Sequence, residues 1–224
     1  MNNLEVLYED NHIIVVIKPC NILSQSDSTK DIDMLSIVKK YIKEKYNKPG
    51  NVYLGLVHRL DRPVGGIMVF ARSSKAASRL SESIKKHEFD KRYLAVIKGI
   101  ISEKKGTFKD YLVKTESGNT KVSTKEIGKY SELSYIVLEE NKKKGYSLVE
   151  IELLTGRHHQ IRVQFSTRGY YLFGDQRYGK KDFKQIALWA YKLTFIHPVK
   201  KEKMTFEYYP DTKSEGWNMF NYNL

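Results

Sequence analysis

Hydrophobic and polar residues alternate along much of the chain, and this pattern predicts a protein rich in β-strands. LEVLY (residues 4–8) alternates, whereas IIVVIK (residues 13–18) is a β-branched run typical of a buried strand, and EDNH between them is a predicted turn. Ile67–Arg72 and Arg92–Gly99 are further apolar segments that predict strands. The first hundred residues therefore supply at least four predicted strands.

The second half of the chain continues this pattern after a polar stretch. Residues from about 101 to 129 are polar and turn-rich, and we interpret them as a surface excursion in which strands would be marginal. YSELSYIVLEE and YSLVEIELL alternate on either side of Lys142-Lys143-Lys144-Gly145, which predicts a hairpin. ALWAYKLTFIHP and KMTFEYY predict a closing pair of strands.

Two segments have helical periodicity instead. Apolar residues recur at helical spacing from about Asp33 to Tyr46, and a second predicted helix follows Ser73 or Ser74, either of which can cap it. No repeat, linker or break in composition divides the chain. We therefore predict one strand-rich α+β domain over residues 1–224, with about two main helices.

The composition favours a globular protein that binds a polyanion. The 224 residues include 39 Lys and Arg against 26 Asp and Glu, a net charge of +13, and such a field attracts nucleic acid. The alternative is a lysine-rich surface that is simply solvated. Cys20 is the one cysteine, which excludes an internal disulfide. The sequence contains no apolar run of membrane length and no export signal, so we expect a cytoplasmic monomer that does not bind a membrane.

The most suggestive chemistry lies in HRLDRPVGG, where Asp61 stands between Arg59 and Arg62. The proline and glycines that follow stiffen the turn and allow close approach of the backbone. An ionised, well-oriented carboxylate is a nucleophile or base at neutral pH. Taken alone, however, an Asp–Arg pair is more often structural than catalytic.

A second polar segment, TGRHHQIRVQF (residues 155–165), is predicted to be a strand. Its apolar residues would share one face, and Gln160, Arg162 and Gln164 would share the other. A buried face of this kind needs an anionic or polar partner, and Arg162 can form a two-pronged pair with Asp61. The alternative is an edge strand whose polar face lies in water.

Other chemistries find little support in the sequence. The chain has no P-loop, no dinucleotide-binding fingerprint and no nucleophile elbow. His158 and His159 are adjacent, so on a strand their rings would point to opposite faces and would not chelate a metal together. We therefore predict neither a metal site nor a cofactor.

Six sequence blocks, taken together, resemble the RluA-type pseudouridine synthases, and they follow that family's order from about Leu4 to Phe206. The blocks are YEDNHIIVVIKPCNILSQ, HRLDRPVGGIMVFAR, FDKRYLAVIKG, LLTGRHHQIRVQF, GYYLFGDQRYG and ALWAYKLTFIHP. The resemblance implies a mixed, mainly antiparallel sheet with a central cleft. It also implies an enzyme that isomerises a uridine of rRNA or tRNA without a cofactor or metal.

The resemblance also assigns roles to individual residues. Asp61 would be the catalytic aspartate, Tyr93 would stack on the base and assist proton removal from C5, and Arg162 would pair with Asp61. Arg59 matches the arginine of the HRLD motif, which helps to hold or replace the flipped nucleotide. Further RNA contacts are expected from His58, Arg62, Arg157, His159 and Gln160.

Three departures from the family pattern stand out. Val64-Gly65 occupies the place where the family usually has Thr-Ser, and Trp189 stands where the closing block often has His. There is also no room before Leu4 for the small S4-like RNA-binding domain that many relatives carry. We therefore expect fine substrate contacts to differ and RNA selection to rest on the catalytic domain.

Two alternative functions are open at this point. A glycosidase-like hydrolase needs two acids in a cleft, whereas the neighbours of Asp61 in the sequence are basic. A catalytically silent RNA-binding module on the same fold could lose Asp61, Tyr93 or Arg162 without harm. The chain retains all three residues, which favours the enzyme.

Overall fold

The computed structural model describes residues 4–221, which form twelve strands, three α-helices and a 3-10 helix. The strands are β1 (Val6–Glu9), β2 (Ile13–Lys18), β3 (Gly55–Leu56), β4 (Gly65–Ala71), β5 (Asp90–Lys98), β6 (Lys105–Lys114), β7 (Thr120–Ser123), β8 (Lys129–Asn141), β9 (Tyr146–Leu153), β10 (Tyr171–Leu172), β11 (Leu188–Ile196) and β12 (Lys203–Glu207). The helices are α1 (Met34–Lys45), α2 (Ser74–Lys85), α3 (Gln160–Ser166) and the 3-10 helix Trp217–Met219.

Contacts divide the chain into two compact units. The first comprises the described parts of Met1–Phe89 together with Lys192–Tyr208, and the second comprises Asp90–Tyr191 with the described part of Tyr209–Leu224. Strand β11 contributes residues to both. The prediction that residues 1–224 act as one catalytic domain stays a prediction.

The first unit is built around two fully buried strands. β2 pairs antiparallel with β1 and with β4, and every residue of β2 and β4 is buried. Helices α1 and α2 start at side-chain caps, since Asp33 accepts from the Ser36 amide and Ser73 accepts from the Ala76 amide. These elements confirm the strands and helices predicted for this part of the chain.

The second unit is an antiparallel series in the order β5-β9-β8-β6-β7, with β10 also on β5. The predicted lysine-tipped hairpin is confirmed, because β8 and β9 flank a turn in which Gly145 has a φ of +73°. Trp189 packs against a core cluster that includes Leu94, Phe173 and Trp217. The tryptophan that replaces the family's usual histidine is therefore a packing residue in this chain.

The expectation of a surface excursion over residues 101–129 is wrong. This region holds β6, a ten-residue strand, and β7. The prediction failed because it relied on the polar composition of this region. One face of an antiparallel sheet can be exposed to water, and β6 is stabilised by backbone hydrogen bonds to β7 and β8. Phe108 anchors the other face, where its ring lies 4.9 Å from Tyr135 and 5.0 Å from Phe165.

The strand predicted over residues 155–165 is also wrong, because Gln160–Ser166 is the helix α3. Every residue from Gln160 to Phe165 is buried. In a helix of seven residues that is buried all round, period-2 and period-3.6 patterns cannot be told apart from the sequence. His159 starts the helix in the left-handed region, with a φ of 52°.

The prediction of a mainly antiparallel sheet with few helices is confirmed. Within residues 4–221, no helix has the length and apolar character needed to cross a membrane.

Candidate functional site

Asp61 lies in the loop between β3 and β4, and hydrogen bonds hold the backbone of this loop in place. The Ser24 hydroxyl donates to the Leu60 carbonyl (2.7 Å) and accepts from the Leu60 amide (3.1 Å). The Val64 amide donates to the Asp61 carbonyl at 3.0 Å, which closes a turn. Asp61 itself is partly exposed. The loop therefore presents this side chain from a fixed backbone.

The basic neighbours of Asp61 have different surroundings. His58 Nε2 accepts from the Val69 amide at 3.0 Å, so that nitrogen carries no proton. Arg62 is exposed and forms an ion pair with Asp31 at 2.8 Å, whereas Arg59 is exposed. The side chains of Arg59 and Arg62 are therefore accessible to RNA, whereas His58 is hydrogen-bonded to β4.

Lys18 is the buried support of this loop. Its side chain has no exposed surface, and Nζ donates to the Pro19 carbonyl (2.9 Å) and the Arg62 carbonyl (3.0 Å). Burial lowers the Lys18 pKa to about 8, although the nearby Asp61 carboxylate opposes the shift. Lys18 thus holds the backbone of the loop that carries Asp61.

The Val64-Gly65 departure falls at the start of β4. Val64 is 2% exposed and Gly65 is buried, so an apolar side chain fits where the family usually has a hydroxyl. Gly66 lies opposite Lys18 in the strand pairing and has a φ of +128°, a conformation that favours glycine. In this chain, Val64-Gly65 therefore serves packing.

In the second unit, Tyr93 lies on β5 opposite Ile151 of β9, with its side chain largely buried. Arg162 lies on α3 and is 3% exposed. The predicted contact between Arg162 and Asp61 would join the two units, and it stays a prediction.

Arg162 forms a buried two-pronged ion pair with Asp175. Arg162 Nε donates to Asp175 Oδ2 at 2.8 Å, and Nη2 donates to Oδ1 at 2.7 Å. Burial opposes ionisation of Asp175, but the bonds and charge of Arg162 and the backbone amides of Arg177 and Tyr178 outweigh it and hold the pKa below its ordinary value. The pair fixes two nitrogens of the Arg162 guanidinium.

A chain of polar contacts extends from this pair to β7. The Arg162 guanidinium lies 5.2 Å from the centre of the Tyr178 ring, and Tyr178 Oη lies 2.8 Å from His159 Nδ1. Tyr178 Oη also accepts from the Thr120 amide at 2.8 Å. His158 stacks on His159 with ring centres 3.7 Å apart, so the prediction that these rings point to opposite faces is wrong. The left-handed backbone at His159 explains the difference.

Gln160 is buried, and both the oxygen and the nitrogen of its side-chain amide form two hydrogen bonds each. Its Oε1 accepts from Thr155 Oγ1 (2.8 Å) and the Arg157 amide (3.0 Å). Its Nε2 donates to the Glu132 carbonyl (3.1 Å) and to Gln164 Oε1 (3.0 Å). These bonds give Gln160 a structural role, and its predicted contact with RNA stays a prediction. His159 is also buried, whereas Arg157 is exposed.

Sequence reasoning missed Lys18, Asp175 and Tyr178 as members of these networks. Asp175 and Tyr178 lie within GYYLFGDQRYG, one of the six blocks that resemble the family, but neither residue was assigned a role. The sequence predicted a buried arginine that needs an acidic partner, and Asp175 is an acid in a turn that follows soon after it. This pattern could have identified the pair. Over residues 4–221, the structure contains no group of three or more His, Cys, Asp or Glu residues that could hold a metal ion.

Comparison with known proteins decides the family. The model for RNA pseudouridylate synthase matches residues 12–167, which include Asp61, Tyr93 and Arg162. The chain belongs to the RNA pseudouridylate synthase family. It is therefore an enzyme of this class, an isomerase, and the predicted family is confirmed.

Relatives of this synthase match most of its length. An uncharacterized RNA pseudouridine synthase of Bacillus subtilis is 32% identical over 206 residues, covering 91% of this chain and 68% of that protein. The tRNA pseudouridine synthase C of Haemophilus ducreyi is 28% identical, covering 96% and 93%. The ribosomal large subunit pseudouridine synthase C of Haemophilus influenzae is 30% identical, covering 90% and 64%.

Solved structures confirm the predicted pseudouridine synthase fold. The human RNA pseudouridylate synthase domain containing 4 superposes with a TM-score of 0.80 at 19% identity, covering 96% of this chain and 92% of its own. The human RNA pseudouridylate synthase domain containing 1 gives a TM-score of 0.73 at 24% identity, covering 96% and 86%.

The buried Lys18 amine yields a first prediction for this synthase. Lys18→Met should lower the free energy of unfolding by about 1–3 kcal/mol, because the Pro19 and Arg62 carbonyls lose their hydrogen-bond donor. Urea unfolding measures this difference. The exposed Lys75→Met is the control, and a Lys18→Met protein as stable as Lys75→Met would contradict the supporting role of Lys18.

The Arg162–Asp175 pair yields a second prediction. Asp175→Asn should lower the free energy of unfolding by about 3–5 kcal/mol, because it removes the negative charge that accepts two hydrogen bonds from a buried guanidinium. Asp182→Asn, an exposed change in the same loop, should have little effect. Chemical denaturation of both variants measures the difference, and equal stability would show that Asp175 does not compensate the Arg162 charge.

Proposed function

We propose that this synthase converts a specific uridine of ribosomal or transfer RNA to pseudouridine. In that reaction the C1′–N1 bond breaks and a C1′–C5 bond forms, while C5 loses a proton and N1 gains one. Both bonds lie within one nucleoside, so no external group donor is needed. Relatives named for the large ribosomal subunit and for tRNA support both substrate classes, and the net charge of +13 suits either polyanion.

Asp61 is the residue to which we assign catalysis. The observation that carries this proposal is its setting: a partly exposed carboxylate on a loop whose backbone Ser24 and Lys18 hold through hydrogen bonds. A fixed backbone limits the orientations of the carboxylate. An ionised, oriented carboxylate can act as a nucleophile or base at neutral pH.

Tyr93 and Arg162 complete the proposed catalytic group. Tyr93 offers an aromatic ring from the rigid strand β5, and stacking of the base on it would stabilise binding by roughly 1–3 kcal/mol. Arg162 would pair with Asp61 as in the family's pattern, while Asp175 keeps its guanidinium in a fixed orientation.

Base flipping would bring the uridine to these residues. A uridine in a helix hides C1′ and C5, and extruding it costs a few kcal/mol. Stacking on Tyr93 would offset part of that cost. Arg59, exposed two residues before Asp61, would occupy or guard the space that the flipped nucleotide leaves.

The proposal predicts a sharp separation of catalysis from binding. Asp61→Asn should reduce pseudouridine formation to the background of the assay, because the amide is neither a nucleophile nor a base. Its affinity for the same RNA should stay within a few-fold of the unchanged protein. The rate can be followed as tritium released from [5-³H]uridine-labelled RNA taken from cells that lack the gene.

Asp27→Asn is the matched control, because Asp27 is an exposed aspartate of the same unit. Its rate should equal that of the unchanged protein. If Asp61→Asn turned over at a similar rate, Asp61 would not be the catalytic carboxylate.

A further inference from the structure

Lys91 is a lysine whose surroundings provide no counter-ion. It lies near the start of β5, partly buried. Among residues 4–221, no ion pair or hydrogen bond joins its amine to a carboxylate. Burial and the charge of Arg157 both lower the pKa of Lys91, and no acid opposes them. The protein thus holds two cations near each other at a free-energy cost.

Three acids of β5 and β9 form ion pairs with Arg92. Asp90 of β5 and Glu150 and Glu152 of β9 all pair with Arg92, at 3.1, 2.8 and 3.9 Å. Arg92 points to the opposite face of β5 from Lys91, because successive side chains of a strand alternate. The face that carries Lys91 therefore has a positive charge that β5 and β9 do not neutralise.

Arg157 lies beside Lys91 because β9 ends next to the start of β5. Arg92 is opposite Glu152 in the strand pairing, and the chain leaves β9 at Leu153 and reaches Gly156 and Arg157 soon after. A Cβ atom at position 156 would lie 3.5 Å from Lys91 Nζ, so the amine sits over a residue without a side chain.

The Arg157 guanidinium is held in place by protein yet lacks a carboxylate partner among the described residues. Its Nε donates to the Tyr130 carbonyl at 2.9 Å, which fixes the side chain, and the residue is exposed. The remaining guanidinium donors and the Lys91 amine suit an oxyanion.

We propose that Lys91 and Arg157 bind a backbone phosphate of the RNA substrate. The inference rests on the proposed function, because Lys91 and Tyr93 are two residues apart on β5 and so lie on the same face of the strand. A phosphate held by Lys91 would place its nucleotide, or a neighbour, on the face that presents the Tyr93 ring. The cost of keeping two cations together is recovered when the anion binds.

The test uses seven-nucleotide oligouridylates in which one phosphate at a time is an uncharged methylphosphonate. The unchanged protein should lose affinity about ten-fold at one position, equivalent to about 1.4 kcal/mol. Lys91→Met and Arg157→Met should each bind the unmodified oligonucleotide about ten-fold more weakly and lose little more when that phosphate is neutralised. Both should also show a shallower dependence of affinity on salt.

Lys98→Met is the matched control, because Lys98 is an exposed lysine of the same strand and the change removes the same charge. It should keep the sensitivity of the unchanged protein to the neutralised phosphate, and Lys91→Arg should keep most of it. Thermal unfolding should show Lys91→Met to be no less stable than Lys98→Met, since Lys91 has no acid partner to lose. If Lys91→Met responded to the methylphosphonates as the unchanged protein does, the phosphate site would be disproved.

Failure of this site can be told apart from failure of the proposed function. The binding measurements need no turnover, so a protein that discriminates the phosphate but releases no tritium would contradict the proposed function alone. A protein that forms pseudouridine normally, with no single phosphate sensitive to neutralisation, would contradict the phosphate site alone.

Discussion

A charge buried in a protein must be compensated, and this constraint organises both units of the synthase. In the second unit, α3 is buried all round although it carries Arg162 and two glutamines. Asp175 neutralises Arg162 through two hydrogen bonds, and backbone amides in turn hold Asp175. Burial of the guanidinium would cost several kcal/mol more if these two charged hydrogen bonds were lost.

The first unit meets the same constraint with a different solution. Lys18 has no exposed surface, yet its amine donates to two loop carbonyls and lies near the Asp61 carboxylate. A depressed pKa reduces the cost further, because a neutral amine can still donate both hydrogen bonds. The hydrogen bonds from Lys18 to the Pro19 and Arg62 carbonyls reduce the cost of burying the amine. The same bonds hold the loop that carries Asp61, so they contribute both to the stability of this loop and to its orientation.

Among the described residues, Lys91 and Arg157 have no carboxylate partner, unlike the buried Arg162 above. Where Arg162, Arg92 and Lys18 have protein partners, they serve the fold. Lys91 and Arg157 face no acid within the described residues, so no carboxylate neutralises their positive charges. An enzyme that binds a polyanion has a reason to keep such positions, whereas a fold built for stability alone would fill them with an acid or an apolar side chain.

Much of the architecture could be predicted from the sequence, and the errors share a cause. The caps at Asp33 and Ser73 and the hairpin tip at Gly145 were predictable because each depends on a few adjacent residues. Gln160–Ser166 was taken for a strand because its stability comes from distant partners such as Asp110, Glu132 and Asp175. Residues 105–123 were missed because β6 depends on pairing with β8 more than on its own composition.

The same distinction applies to the candidate site. Asp61, Tyr93 and Arg162 could be found because each lies within a motif, and the family match covers all three. The supports of these residues could not be found in this way. Lys18 reaches the Arg62 carbonyl 44 positions away in sequence, and only the fold brings these groups together.

Mapping of pseudouridine at single-nucleotide resolution tests the central claim most directly. Total RNA would be compared from cells with the gene, without it, and with the gene restored. We expect a defined pseudouridine in ribosomal or transfer RNA to disappear on deletion and to return on restoration. If every pseudouridine of the parent cells persisted in the deletion strain at its original level, the proposed activity would be contradicted.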